Sequence, residues 1–111
     1  MQYDYRVDHV MRVVDGDTID LVIDVGFRLY TAQRIRLLGI DTPERGQQGW
    51  AEATAFVKNW VDTYNGKLRI ETFKADSFGR WLGYVYARTE DGVQSLTNDL
   101  MASGLAKAYE R

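Results

Sequence analysis

Cysteine is absent from this sequence of 111 residues, which excludes disulfides and any zinc site built on thiolates. Histidine occurs once, as His9, so neither a histidine metal cluster nor a Ser-His-Asp triad has the residues it needs. There is one proline, Pro43, and no apolar run approaches the roughly 18 residues of a membrane span. The opening Met1-Gln2-Tyr3-Asp4-Tyr5-Arg6 lacks the basic-then-apolar layout of a signal peptide, so the expected location is the cytoplasm, with no membrane association. A basic excess is missing too. The formal net charge of −2 argues against a surface that grips nucleic acid along its whole length, because such binding rests on Lys and Arg meeting phosphates. It leaves room for an enzyme that works on one phosphate at a time.

What is present is a chain with 45% hydrophobic and 27% charged residues, the balance of a globular protein. At this length residues 1–111 are read as one domain with one core. Ten of the 14 basic residues are arginine, whose planar fork matches phosphate oxygens better than an ammonium does.

The first third alternates like a β-meander. Val7, His9, Met11 and Val13 share one parity, and after a turn at Asp15-Gly16 so do Ile19, Leu21, Ile23 and Val25. Gly26 breaks the chain into a third strand from about Phe27 to Leu38. From Trp50 to Tyr64 the period becomes helical, with Trp50, Ala53, Val57, Trp60, Val61 and Tyr64 on one stripe and Asn65-Gly66 as the stop. Two further strands, Lys67–Phe73 and Arg80–Ala87, precede a short helix near Ser95–Ser103 with Ser95 as its N-cap and Gly104 as its end. Five strands with a helix between the third and fourth and a second helix near the C-terminus predict a mainly β, five-stranded OB-fold barrel. An open α+β sheet is the alternative.

Several charged residues stand where this pattern reserves places for the core. Asp17 ends the row of Ile19, Leu21 and Ile23, and a buried carboxylate is costly unless paired or coordinated. Asp41 continues the parity of Ile35 and Leu37, Arg36 lies between those two, and Arg80 opens the row of Leu82, Tyr84 and Tyr86. Two acids and two arginines at strand ends supply what a site for a phosphate and a metal requires.

Each feature also has a plainer explanation. Asp15-Gly16 is a common hairpin turn. Asp15 and Asp17 do not open an EF-hand loop, because Ile19 fills the next ligand position and the terminal Glu is missing. Thr42-Pro43-Glu44 reads equally as a helix start, with Thr42 as N-cap. The carboxylates and arginines also suit simple ion pairs that need no substrate.

Three blocks, Val14-Asp15-Gly16-Asp17-Thr18, Arg36-Leu37-Leu38-Gly39-Ile40-Asp41-Thr42-Pro43-Glu44 and Phe78-Gly79-Arg80, together resemble the staphylococcal nuclease (thermonuclease) family, in its order and with a helix between the second and third. Ser103-Gly104-Leu105-Ala106-Lys107 resembles the stretch after that family's second helix, so the likeness runs from about Met11 to Lys107. It implies an OB barrel and Ca²⁺-dependent hydrolysis of DNA and/or RNA that leaves 3′-phosphate ends. By the resemblance, Asp17 and Asp41 would give carboxylate oxygens to the metal and Thr42 its carbonyl. Glu44 would handle the attacking water, Arg36 and Arg80 would hold the phosphate, and Asp15 would stand behind the ligands without touching the ion. Phe78 occupies the place of a tyrosine that often helps hold a terminal phosphate, and Ser77 that of a lysine. The stretch after Glu44 is shorter than in the prototype, and the acidic balance predicts weaker nucleic-acid affinity.

Three functions follow as expectations. The first is an active endonuclease on DNA and/or RNA, with no protein partner predicted. The second is a non-catalytic module of the same family that binds nucleic acid or protein; it would be marked by substitutions at the two Asp, the Glu and the two Arg, and none is substituted here. The third is an unrelated OB-type single-strand binder, for which Trp81, Tyr84 and Tyr86 would be the stacking residues.

Overall fold

In the computed structural model, which describes residues 3–75 and 79–109, the first strand is paired with irregular register, and this shapes the barrel. β1 (Tyr3–Asp15) runs antiparallel to β2 (Thr18–Asp24), pairing Val7 with Ile23, Val10 with Leu21 and Val13 with Ile19. Three residues of β1 are therefore spent on every two of β2. The register shifts fall between Val7 and His9, Val10 and Arg12, and Val13 and Asp15. Each extra residue bends and twists the strand, which is how a sheet curls toward closure. The same bulges correct the simple parity of the sequence: Val7 and Val13 are buried and Val10 packs against the core, whereas His9 and Met11 face solvent.

β3 (Tyr30–Leu37) pairs along the whole of β2, from Thr18 opposite Arg36 to Asp24 opposite Tyr30. It begins at Tyr30 and not near Phe27, because Gly26, Phe27 and Arg28 all take positive φ and form the turn. Val25, assigned inward by parity, is 36% exposed beside that turn. A two-residue strand β4 (Ile40–Asp41) follows, and then α1 (Trp50–Thr63). Thr42 caps no helix, since α1 starts eight residues later, after Gly49 in the left-handed region.

β5 (Leu68–Ala75) pairs with both β1 and β6 (Trp81–Thr89), and three residues of β6 lie parallel to β3, Ile35 opposite Trp81 through Leu37 opposite Gly83. That last pairing joins the two sides of the sheet. Strands β3, β2, β1, β5 and β6 form a closed five-stranded barrel, and the open α+β alternative is set aside. β7 (Gly92–Ser95) extends β6, α2 (Leu96–Ala102) follows, and β8 (Lys107–Ala108) pairs back onto β4. Ser95 caps α2 as its position indicated, accepting from the Asn98 amide at 3.2 Å.

The core is aliphatic: Ile19, Leu21, Ile35, Leu37, Ile40 and Ile70 are fully buried, each worth roughly 1.5–3 kcal/mol relative to exposure. In β6 the core row is Val85 and Ala87, which face Ile70 and Leu68, and not Tyr84 and Tyr86. A bulge at Phe73, between Thr72 and Lys74, offsets β5 against β6 at the start of this pairing. Tyr84 instead meets Phe73 edge-on at 5.6 Å, and the Tyr86 hydroxyl donates to Asp4. α1 buries Ala53, Val57, Trp60 and Val61 of the expected stripe, and the Trp60 indole donates to Asp99 of α2 at 2.8 Å. Among the described residues no helix is long and apolar enough to cross a membrane.

Candidate active site

The residues that broke the strand pattern meet at one rim of the barrel. Pairing of Thr18 with Arg36 puts the start of β2 beside the end of β3, and the Leu37 amide donates to the Asp17 carbonyl at 2.8 Å. Asp17 is buried, and each of its carboxylate oxygens accepts a hydrogen bond. Oδ1 accepts from the Thr18 hydroxyl at 3.0 Å, and Oδ2 accepts from the Thr42 amide at 3.0 Å. Through that second bond Asp17 fixes the backbone of the segment that carries Asp41, Thr42 and Glu44.

Arg36 is buried beside it. Its Nη1 donates to the carbonyls of Leu37 and Ile40 at 2.9 and 3.0 Å, which closes the turn leading into β4. Its Nη2 faces Asp41 Oδ1 at 3.1 Å and Asp17 Oδ2 at 3.3 Å. One nitrogen thus gathers two carboxylate oxygens. The ion-pair arrangement left open by the sequence exists at Arg36, and it also brings together the acids that a cation would need. The Asp41 side chain is 55% exposed, in contrast to Asp17 at 10%.

Glu44 sits on a turn closed on itself, its amide donating to Gln47 Oε1 at 2.8 Å and its carbonyl accepting from the Gln47 amide at 2.9 Å. Arg45 lies over the Trp50 ring at 4.9 Å, and the Trp50 indole donates to Asp15 Oδ1 at 2.6 Å. Asp15 therefore anchors α1 to the end of β1. Gly16 allows this approach, because a Cβ there would lie 2.9 Å from Ala53 Cβ and 3.0 Å from the Thr42 side chain.

A polar cleft of about 290 Å³ is lined by Asp15, Asp17, Arg36, Asp41, Thr42, Glu44 and Arg80, with Thr18, Pro43 and Tyr109 completing it. Every candidate among the described residues reaches this one place. Phe78 lies outside the described residues. Tyr109 is the residue that sequence reasoning missed: β8 pairs Lys107 with Asp41, and the Tyr109 amide donates to the Gly39 carbonyl at 2.9 Å. Only the fold connects it to the cleft, because the family-like stretch of the sequence stops at Lys107.

Four carboxylates against two guanidiniums give the cleft a negative excess at neutral pH. Among the described residues no three carboxylate, imidazole or thiol groups form a metal site by themselves. A cation would rest on two carboxylates and neutral oxygens.

The family model described as staphylococcal nuclease homologue matches residues 34–111. The chain belongs to this family. It is 37% identical over 103 residues to an uncharacterized endonuclease of Escherichia coli O157:H7, covering 92% of this chain and 60% of that protein. It is 33% identical over 111 residues to a micrococcal nuclease of Shigella flexneri, covering 96% and 59%, and 32% identical over 105 residues to a thermonuclease of Staphylococcus hyicus, covering 89% and 57%. The chain spans about three-fifths of the length of these relatives. Within the staphylococcal nuclease homologues' matched stretch lie Arg36, Asp41, Thr42, Glu44 and Arg80. Asp15 and Asp17 precede it and join the cleft through the pairing of β2 with β3.

Proposed function

We propose that this chain is a nuclease that hydrolyses phosphodiester bonds of DNA and/or RNA in the cleft at the barrel rim, with Ca²⁺ as its cofactor. The observation that carries this reading is the gathering of Asp17 and Asp41 on one Arg36 nitrogen in the cleft that Glu44 and Arg80 also line. The nuclease names of relatives at 32–33% identity support the reaction class.

The donor chemistry fits a hard cation. Asp17, Asp41 and the Thr42 carbonyl offer oxygen only, which suits Ca²⁺ in loose geometry and does not suit a soft metal. The negative excess of the cleft calls for a positive charge before an anionic substrate can enter. When bound, Ca²⁺ would supply charge neutralisation for the phosphate.

The remaining work falls to the chain. Arg36 already gives donors to two carbonyls and two carboxylates, so it acts first as the clamp that holds the acids. Arg80, which also lines the cleft, is the guanidinium assigned to the phosphate oxygens, where a planar fork pairs well. Glu44 takes the proton of the attacking water. The water oxygen bonds to phosphorus, the bond to the 5′ oxygen breaks, and that oxygen takes a proton from solvent. The products are a 3′-phosphate and a 5′-hydroxyl.

Incubation of the purified chain with a single-stranded oligonucleotide, with and without Ca²⁺, tests the proposal. Cleavage should require Ca²⁺, and Glu44→Gln or Arg80→Ala should each lower it by about 10²-fold or more. Substrate left intact after long incubation with saturating Ca²⁺ would assign the chain to the non-catalytic binding modules.

A further inference from the structure

The cleft shares a wall with a second pocket. This pocket of about 500 Å³ adjoins the cleft directly, since Asp41, Thr42 and Pro43 line both places. Leu105, half-buried against the core, gives it an apolar side. The exposed Gln47, Gln48 and Lys107 give it a polar one.

The pairing of β4 with β8 sets where Lys107 stands. Lys107 lies directly opposite Asp41. Side chains of such a pair rise on the same face of the ribbon, with Cβ atoms about 4.5–5.5 Å apart. On that face the Asp41 carboxylate reaches Arg36 in the cleft at 3.1 Å. Two residues beyond Lys107, Tyr109 lines the cleft itself. The stretch from Lys107 to Tyr109 therefore borders both places. Its polar groups have bonding capacity to spare. Asp41 turns to Arg36, so among the described residues Lys107 makes no ion pair. Gln47 uses its side-chain oxygen on the Glu44 amide at 2.8 Å and keeps its NH₂. The Gln48 side chain makes no hydrogen bond among the described residues.

We propose that this pocket is the subsite for the nucleotide next to the scissile phosphate, with Lys107 on that nucleotide's far phosphate and the Gln48 amide on its base. The proposal rests on the nuclease reading of the cleft. A phosphodiester held there is continued by further nucleotides, and a strand that leaves across Asp41 and Pro43 enters the pocket at once. The volume falls within the range of roughly 300–1,000 Å³ that takes small organic ligands. A glutamine amide carries both donors and an acceptor, so it can pair with the edge of more than one base. Lys107 adds a cation beside a cleft whose carboxylates outnumber its guanidiniums, and so favours the exit of an anionic strand on this side.

The test measures binding of labelled hexathymidylate by fluorescence anisotropy in the Glu44→Gln background with Ca²⁺ present, at several salt concentrations. Losing one phosphate contact lowers the slope of log affinity against log salt by about 0.7, so Lys107→Ala should bind about fivefold more weakly at 0.1 M salt and equally well near 1 M. Lys107→Arg should keep both affinity and slope. Lys58→Ala, which removes the same charge from the exposed face of α1, should change neither. If Lys107→Ala does not fold, judged by its melting curve, Gln48→Ala is read in its place. Its loss should be about two- to tenfold, a hydrogen bond's worth, and the same at every salt concentration because the amide is neutral. A folded variant that keeps the full affinity overturns the subsite. So does an equal loss in Lys58→Ala, which would make the effect one of net charge. Cleavage by the unsubstituted chain is scored separately. A hexamer held through Lys107 but left intact would sink the nuclease and leave the subsite standing, and cleavage with binding indifferent to Lys107 would do the reverse.

Discussion

Asp17 and Arg36 are buried together at the barrel rim, with Asp17 Oδ2 3.3 Å from Arg36 Nη2. The same guanidinium meets Asp41, whose side chain is 55% exposed. Two carboxylates proposed for one metal therefore play unequal parts in the fold. Removing one partner of a buried pair leaves the other charge uncompensated, at a cost of about 3–5 kcal/mol, whereas an exposed pair contributes about 0–1 kcal/mol. Asp17→Ala should accordingly lower stability by roughly 3 kcal/mol and Asp41→Ala by less than about 1 kcal/mol. Urea unfolding of both variants decides it. Equal losses would mean that Asp17 does not hold the rim together.

Gly16 links the core to the cleft by its lack of a side chain. A Cβ would press on Ala53 of α1 and on Thr42 at once, at 2.9 and 3.0 Å. Neither neighbour is a flexible chain end, so the helix or the segment carrying Asp41 and Glu44 must move. Gly16→Ala should cost about 1–3 kcal/mol, the usual range for overpacking. It should also weaken binding of a nucleoside bisphosphate, because Thr42 is part of the cleft wall. Stability and affinity both unchanged would contradict this close approach.

Much of the fold was legible because it rests on short-range patterns. The helical stripe of α1, the Ser95 cap and the Ile19-Leu21-Ile23 row are local and stand as read. Several misreadings come from what a single segment does not reveal. The bulges in β1 turn His9 and Met11 outward and depend on how β2 lies, and the core row of β6 is set by the pairing of Val85 and Ala87 with Ile70 and Leu68. The cleft was legible for a different reason: carboxylates at core parity, Asp17 above all, violate the local rule and so mark a site. Tyr109 violates nothing. It reaches the cleft only by the pairing of β8 with β4.

Tyr86 gives the fold an alkaline limit. Burial, and then its bond to Asp4, hold its phenol above the ordinary 10.0, with Arg69 partly opposing. Above pH 10 the unfolded chain releases this proton while the folded chain keeps it. The contribution is therefore fully present below the unfolded value and is lost as pH rises toward the raised folded value. Stability should fall with pH above about 10, and Tyr86→Phe should flatten that part of the profile. Denaturant unfolding between neutral and strongly alkaline pH checks the slope. An unchanged slope in Tyr86→Phe would place the alkaline loss elsewhere.

The cofactor proposal is open to a test that needs no substrate. A ligand that binds only the folded chain stabilises it by mass action, about 2.7 kcal/mol at 100 times its dissociation constant. For a domain of this size that corresponds to a rise in melting temperature of roughly 10 °C. Ca²⁺ should produce such a rise. Mg²⁺ should produce a smaller one, because it demands near-ideal octahedral geometry that two carboxylates on a strand end and a loop do not preset. Asp41→Asn is the informative variant, since Asp41 contributes little to the fold and its loss can be read as loss of a ligand. It should abolish most of the Ca²⁺ shift while the melting temperature without Ca²⁺ stays nearly where it was. Glu44→Gln, which removes a charge assigned to water and not to the ion, should keep most of the shift. A full Ca²⁺ shift in Asp41→Asn would remove this residue from the metal, and no shift in the unsubstituted chain at millimolar Ca²⁺ would remove the metal from the proposal.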